Sequence, residues 1–302
     1  MRTSIRTSRP GRQIFAVAWL CMATLAGPAG ARADARLYET VVPLQGASAE
    51  DRAAGMSDAL RAVAVQASGR REAADNPTIS AANPSKLVQR YSTTASKMLK
   101  VGFDGRALEE LLQRAGLPLW PAERPVTVIE APVTDMAAVE AVARWRGLPI
   151  EWGTGGPARE ASASRAVLTG VPSGSAFTWT FTHDGRTAQA QGTAQDGIHL
   201  AADTLAARYA PPSTRSSSTV TLKVDGMDDI TDYAGLLAYL RGLSLVRDVA
   251  VESLDGTVIT LRTVVRGDRE VLGRVAALDG RLRPVPQGEE GAAATADFVF
   301  QP

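Results

Sequence analysis

The first thirty-three residues decide where the rest of this chain folds. They carry Arg2, Arg6, Arg9, Arg12 and Arg32 and no acidic residue. Between the arginines lies one apolar run, Ile14 to Gly27, followed by Pro28 and the small-residue pair Ala31 and Ala33. A basic segment, a short apolar segment and an A-x-A site are the three parts of a cleavable export signal. A spanning helix needs about 20 apolar residues, and this run stops short of that. No two arginines are adjacent before the run, as a twin-arginine route would require. Cys21 lies inside it after Trp19 and Leu20, not at its end where a lipid anchor would attach. The sequence therefore predicts cleavage after Ala33 and a periplasmic mature protein with no integral membrane segment.

Two consequences follow for the mature part. Cys21 is the only cysteine and leaves with the leader, so disulfides, thiolate nucleophiles and thiolate metal sites are all excluded. Stability must come from packed cores of ordinary-sized domains. The full chain has 33 basic and 32 acidic residues. Losing five arginines leaves a net charge of −4, which argues against binding nucleic acid through its phosphates.

Periodicity and punctuation predict an α+β fold. It consists of small modules of antiparallel sheet with helices packed on one face. Module boundaries are expected at 34–123, 124–210 and 219–302, with 211–218 (Pro/Ser-rich) as a linker. The first module opens with a strand around Glu39–Pro43. A helix runs from Ser48 to Gly69, with Leu60, Val63, Ala64 and Ala67 on one face. A second helix is expected over 84–92, then a strand over 98–103 and a helix over 107–115. In the middle module, a strand near 126–133 leads to a helix capped by Thr134 or Asp135 and ended by Gly147. The stretch 153–160 reads as a loop. Two strands then flank Asp184-Gly185, a strong hairpin signal, and a helix closes the module. The last module has the order β-α-β-β-α-β, which matches a ferredoxin-like unit. A Gly/Ala/Glu stretch follows, with Phe298–Phe300 expected as an added edge strand.

An ordered set of short motifs runs along most of the mature chain. It comprises Val42-Pro43, Ser68-Gly69, Phe103-Asp104, and Gly116 to Pro125 with Trp120 and Arg124-Pro125. Further on come Arg146 to Pro149, the Trp179 hairpin, Ala202-Asp203, Arg208 to Ala210, Asp232-Tyr233 and Leu240. In this the chain resembles the domain of unknown function 2066 family, exported proteins of Gram-negative bacteria. The resemblance implies a compartment and an architecture but no activity. Two departures stand out: no acidic stretch follows Arg146–Pro149, and Pro121 stands where a glycine is usual.

Catalytic and metal-binding patterns are not found, so no catalytic, cofactor-binding or metal-binding residue is assigned. Only His183 and His199 exist; one sits at a hairpin tip and the other near a helix start, where surface or capping roles are expected. Neither has a nucleophile at motif spacing. Asp225, Asp228, Asp229 and Asp232 precede a helix, where acids cap free N–H groups, and they lack the spacing of a calcium loop. No phosphate-binding loop occurs. The remaining candidates for contact with a ligand or partner are Trp120, Trp145, Trp152 and Trp179. The expectation is a non-enzymatic accessory protein of the cell envelope with a protein partner and no cofactor. The alternative is a glycan- or peptidoglycan-binding or -acting protein using those tryptophans.

Overall fold

In the computed structural model the described residues are 37–153, 165–212, 217–285 and 296–302. The leader, the 153–160 loop beyond Gly153, the centre of the linker and most of the Gly/Ala/Glu stretch lie outside them. The fold is α+β, as expected: three sheets, each with helices against it.

The first sheet has the order β1-β3-β2, all antiparallel: β1 (Glu39–Pro43), β2 (Val88–Thr93) and β3 (Met98–Phe103). Helix α1 (Ala49–Ser68) lies on one face. Its start is fixed by a reciprocal capping box between Ser48 and Asp51, which also holds the Asp51 carboxyl below its usual range. Its end is Gly69 in the left-handed conformation. Gly55 of α1 sits so close to Leu44 and Leu99 that a Cβ there would collide with Leu44. One-turn helix α2 (Pro77–Ser80) and helix α3 (Gly105–Arg114) complete this part.

The helix expected over 84–92 does not form. Only Pro84–Lys86 makes a short 3-10 turn, and the rest is β2. Its residues have no apolar stripe to hold a helix, whereas the backbone can pair with β3. The stem of Arg90 then covers Gly102, where any side chain would be in the way.

The middle sheet has the order β5-β4-β6-β7-β8. Its strands are β4 (Thr127–Glu130), β5 (Ile150–Trp152), β6 (Ala166–Ser173), β7 (Ala176–His183) and β8 (Arg186–Gly192). It is mixed: β4 pairs in parallel with β5 and β6, and the β6-β7-β8 part is antiparallel. Asp184 and Gly185 both take positive φ in the β7–β8 turn, as a tight hairpin turn demands. Helix α4 (Met136–Arg146) connects β4 to β5, and α5 (Ala194–Tyr209) follows β8.

The last sheet contains β9 (Ser218–Asp225), β10 (Val246–Asp255), β11 (Val258–Val265), β12 (Leu282–Pro284) and β13 (Phe298–Phe300). Helix α6 (Ile230–Gly242) and helix α7 (Arg269–Ala276) complete the β-α-β-β-α-β order. The sheet order is β10-β11-β9-β13-β12. Phe298–Phe300 is thus an interior strand and not an edge. It inserts parallel to β9 and pushes β12 outward by one place. The reason is apolar: the Phe298 ring packs against Gly273 of α7 and the Phe300 ring lies over Gly235 of α6.

Buried apolar side chains form two clusters. One runs from Leu37 to Leu119; the other begins at Trp120 and continues through the middle and last sheets. No helix among the described residues is long and apolar enough to cross a membrane.

Candidate functional site

The C-terminal ends of α1 and α4 converge where the first and middle sheets meet, and arginines hold them. Helix C-termini present carbonyls that lack intrahelical partners and carry partial negative charge. Arg124 donates to the carbonyl oxygens of Gln66 (2.9 Å), Gly147, Pro121 (2.9 Å) and Trp120 (3.2 Å). Its guanidinium also stacks 3.9 Å from the Trp120 ring centroid. Burial pushes its pKa down to about 9, so it remains a cation at neutral pH. Gly147 is required here twice over. It has φ +64°, and a Cβ would fall 2.2 Å from the Arg124 guanidinium.

Arg146, at the end of α4, is fully buried. It donates to the Gly69 carbonyl at 2.9 Å, to Asp203 Oδ1 at 2.6 Å and to His199 Nδ1 at 3.0 Å. Asp203 also pairs with Arg71 at 3.3 Å. Since arginine cannot accept, the His199 nitrogen must be a lone pair and the ring neutral. Burial first, and then Arg146 and Arg71, push the His199 pKa down and enforce that state. This cluster ties α1, α4 and α5 together. Among the described residues its hydrogen bonds run between guanidinium, carboxylate, imidazole and backbone carbonyl groups.

Beside these nodes an open cleft of about 1260 Å³ separates β1 from α4. One wall is the strand Glu39–Pro43, and the other is Ala141, Arg144, Trp145 and Gly147–Pro149. Ala62 and Gln66 of α1 line it between them. The lining is mostly apolar. Glu39 is engaged by Lys100 (2.5 Å) and Arg90 (3.0 Å). Burial raises its pKa, but those two partners outweigh burial and keep the carboxylate below its usual range. Val41 is 51% exposed and Trp145 36% exposed, and the two face the cleft from opposite walls.

The four tryptophans part company. Trp120 and Trp179 are buried completely in the core; the Trp179 indole donates to the Thr193 carbonyl at 2.8 Å. Trp152 is half-buried and donates to Glu140 Oε1 at 3.1 Å. Trp145 alone opens on the cleft, with its ring edge-on to His199. The structure does not bring the four together as one surface.

Both histidines depart from their expected surface roles. His183 is buried at the end of β7, where its side chain shares the helix-facing side with Ala166; its Nε2 lies 2.7 Å from the Tyr209 hydroxyl. Burial lowers the His183 pKa and raises that of Tyr209. The acidic run before α6 caps that helix: Asp229 accepts from the amides of Thr231 and Asp232. Among the described residues no group of three or more potential ligands is placed to hold a metal ion.

Sequence reasoning missed Val41, Arg146, His199 and Asp203 as a neighbourhood. The available signal was an arginine directly before a helix-ending glycine, at Arg146-Gly147.

Residues 31–121 match the family model described as a domain of unknown function (DUF8605). That span holds the whole first sheet (β1, β2 and β3), helices α1 to α3 and the connector as far as Pro121, less than a third of the chain. It replaces the resemblance to the domain of unknown function 2066 family, whose short motifs are mostly cap, turn and strand-end residues that many α+β chains need. The DUF8605 match supplies the β1 wall of the cleft; α4 lies outside it. Neither the curated proteins nor the solved structures yield a match.

Proposed function

We propose that this chain is an exported, non-enzymatic accessory protein of the cell envelope that works by holding another envelope protein. The leader Met1–Ala33 motivates the compartment. The β1–α4 cleft carries the binding reading: it is open, mostly apolar and bordered by an exposed tryptophan. Such a site suits a partner better than a reaction, because Glu39 is engaged by Lys100 and Arg90 and Arg124 by backbone carbonyls, which leaves the exposed Arg144 at the rim. Hot spots of protein interfaces favour tryptophan and arginine in this kind of setting.

The test is quantitative co-purification from envelope extracts with the wild-type chain and Trp145→Asp. Specific recovery of an envelope protein by the wild type, lost in the variant, is the expected result. Equal recovery by both, or none by the wild type, contradicts the reading. Retention on peptidoglycan or a polysaccharide resin in place of protein recovery would favour the glycan alternative.

A further inference from the structure

We infer that the cleft takes one extended segment of the partner protein, added beside β1 as a fourth strand of the first sheet. This deepens the binding reading above and rests on it. The backbone groups of β1 alternate in direction. In an antiparallel pair, alternate residues point their N–H and C=O at the neighbour and the rest point away. Phe103 donates to the Tyr38 carbonyl and Leu44 donates to the Lys97 carbonyl. With the register Thr40↔Val101 and Val42↔Leu99, the even-numbered residues face β3. Glu39 and Val41 therefore direct N–H and C=O to the other side, into the cleft, as Pro43 does its carbonyl. Among the described residues nothing pairs with that edge.

The other sheet edges are less suited to strand addition. Bulges interrupt β2 and β10, and β5 and β12 have three residues each. Bulges and short strands are the usual means of blocking edges. β8 is regular but mainly polar and touches a smaller pocket only through Arg186 at its start. β1 is regular over five residues.

The occupant is a single segment and not a second copy. Helix α4 and Gly147–Pro149 stand across from β1 as the opposite wall, so a partner must enter between two walls: a lone strand lying about 4.8 Å from β1 can do so, whereas a second copy would bring a sheet already covered by its own helix. Its chemistry follows from the walls. Side chains on one face of the segment would rest on Ala62 and against Trp145. Arg144 is exposed and meets Glu140 of its own helix at 3.8 Å, a loose surface pair that a carboxylate of the segment can join or replace, and Glu39 is already neutralised. The segment is therefore apolar on alternate residues and carries a carboxylate where it passes Arg144. Strand addition of this type takes affinity from main-chain bonds and specificity from alternate side chains.

The experiment is photo-crosslinking of the full-length chain in its native host, with p-benzoylphenylalanine in place of Trp145 or, separately, Leu254 on the β10 edge. The expected result is an adduct at position 145 with one other protein, mapped by mass spectrometry to an extended acidic–apolar segment. Adding Val41→Pro removes an outward N–H and should cut the yield about ten-fold; Val41→Thr should not. Ala62→Glu, which puts a negative charge between the walls and leaves the strand untouched, should cut it as well. Full yield in both Val41→Pro and Ala62→Glu overturns the inference, and so does an adduct mapping to this chain itself. An adduct at 254 but none at 145 overturns the strand and leaves the binding reading standing. No adduct at either position removes both.

Discussion

Arg146 donates to Nδ1 of His199 at 3.0 Å, a bond that only an uncharged imidazole can accept. Folding therefore selects the neutral ring, and the buried His183 is pushed the same way. Both histidines bind protons less readily in the folded chain than in the unfolded one. Their contribution is fully present above the unfolded value of about 6.5 and is lost as the pH falls through the lower folded values. The carboxylates held low at Asp51, Asp196 and Asp229 act in the same direction but only near pH 4 and below. Urea midpoints should be level above about pH 7 and decline towards pH 5.5. His199→Asn keeps an acceptor near the Nδ1 position and should show a shallower decline. An unchanged decline in the variant would contradict the assignment.

Arg124 is the second test of the junction. Arg124→Ala strands four carbonyls and removes the stack on Trp120, and should cost about 2–4 kcal/mol by chemical denaturation. Arg124→Lys restores a charge but not the planar fork and should recover less than half of that loss. Equal stability of wild type and Arg124→Ala would show that the helix ends do not need it.

The tryptophans should separate by burial. Trp179→Ala leaves a cavity in the core and should cost about 3–5 kcal/mol. Trp145→Ala should cost under about 1 kcal/mol, since that ring is partly in solvent. Comparable losses for the two, measured by urea unfolding, would mean that Trp145 is a packing residue after all.

Much of the local structure was legible because it is punctuated. Ser48, Gly69, Asp135, Gly147 and the Asp184-Gly185 turn all sit where the sequence predicts a start, a stop or a reversal. Residues 88–93 were not legible, because their strand exists only through pairing with β3. The interior place of Phe298–Phe300 depends on Gly235 and Gly273, which local pattern cannot connect to it. The candidate site was least legible of all. Val41 and Trp145 are more than a hundred positions apart, and no periodicity links them. The aromatic census named Trp145 but could not distinguish it from Trp120 and Trp179.

Glu109 ties the first part of the chain to the last. Its Oε2 accepts from Arg247 and Arg266, and its Oε1 accepts from the Tyr38 hydroxyl at 2.7 Å. Glu109→Gln leaves Arg266 largely buried beside a neutral amide and should cost about 1–3 kcal/mol. The loss should shrink in molar salt, where the wild-type pairs are screened. A salt-independent loss would point to packing and not to charge.

The free edge of β1 is the claim on which the account turns, and amide hydrogen exchange reads it directly. In the isolated chain, the Val42 amide should be protected by its bond to β3, while the Val41 amide exchanges at close to the rate of an open strand. On binding of the co-purified envelope protein, Val41 should slow to match Val42. A Val41 amide already protected in the isolated chain, or one left unprotected in the complex, would contradict the strand-accepting cleft.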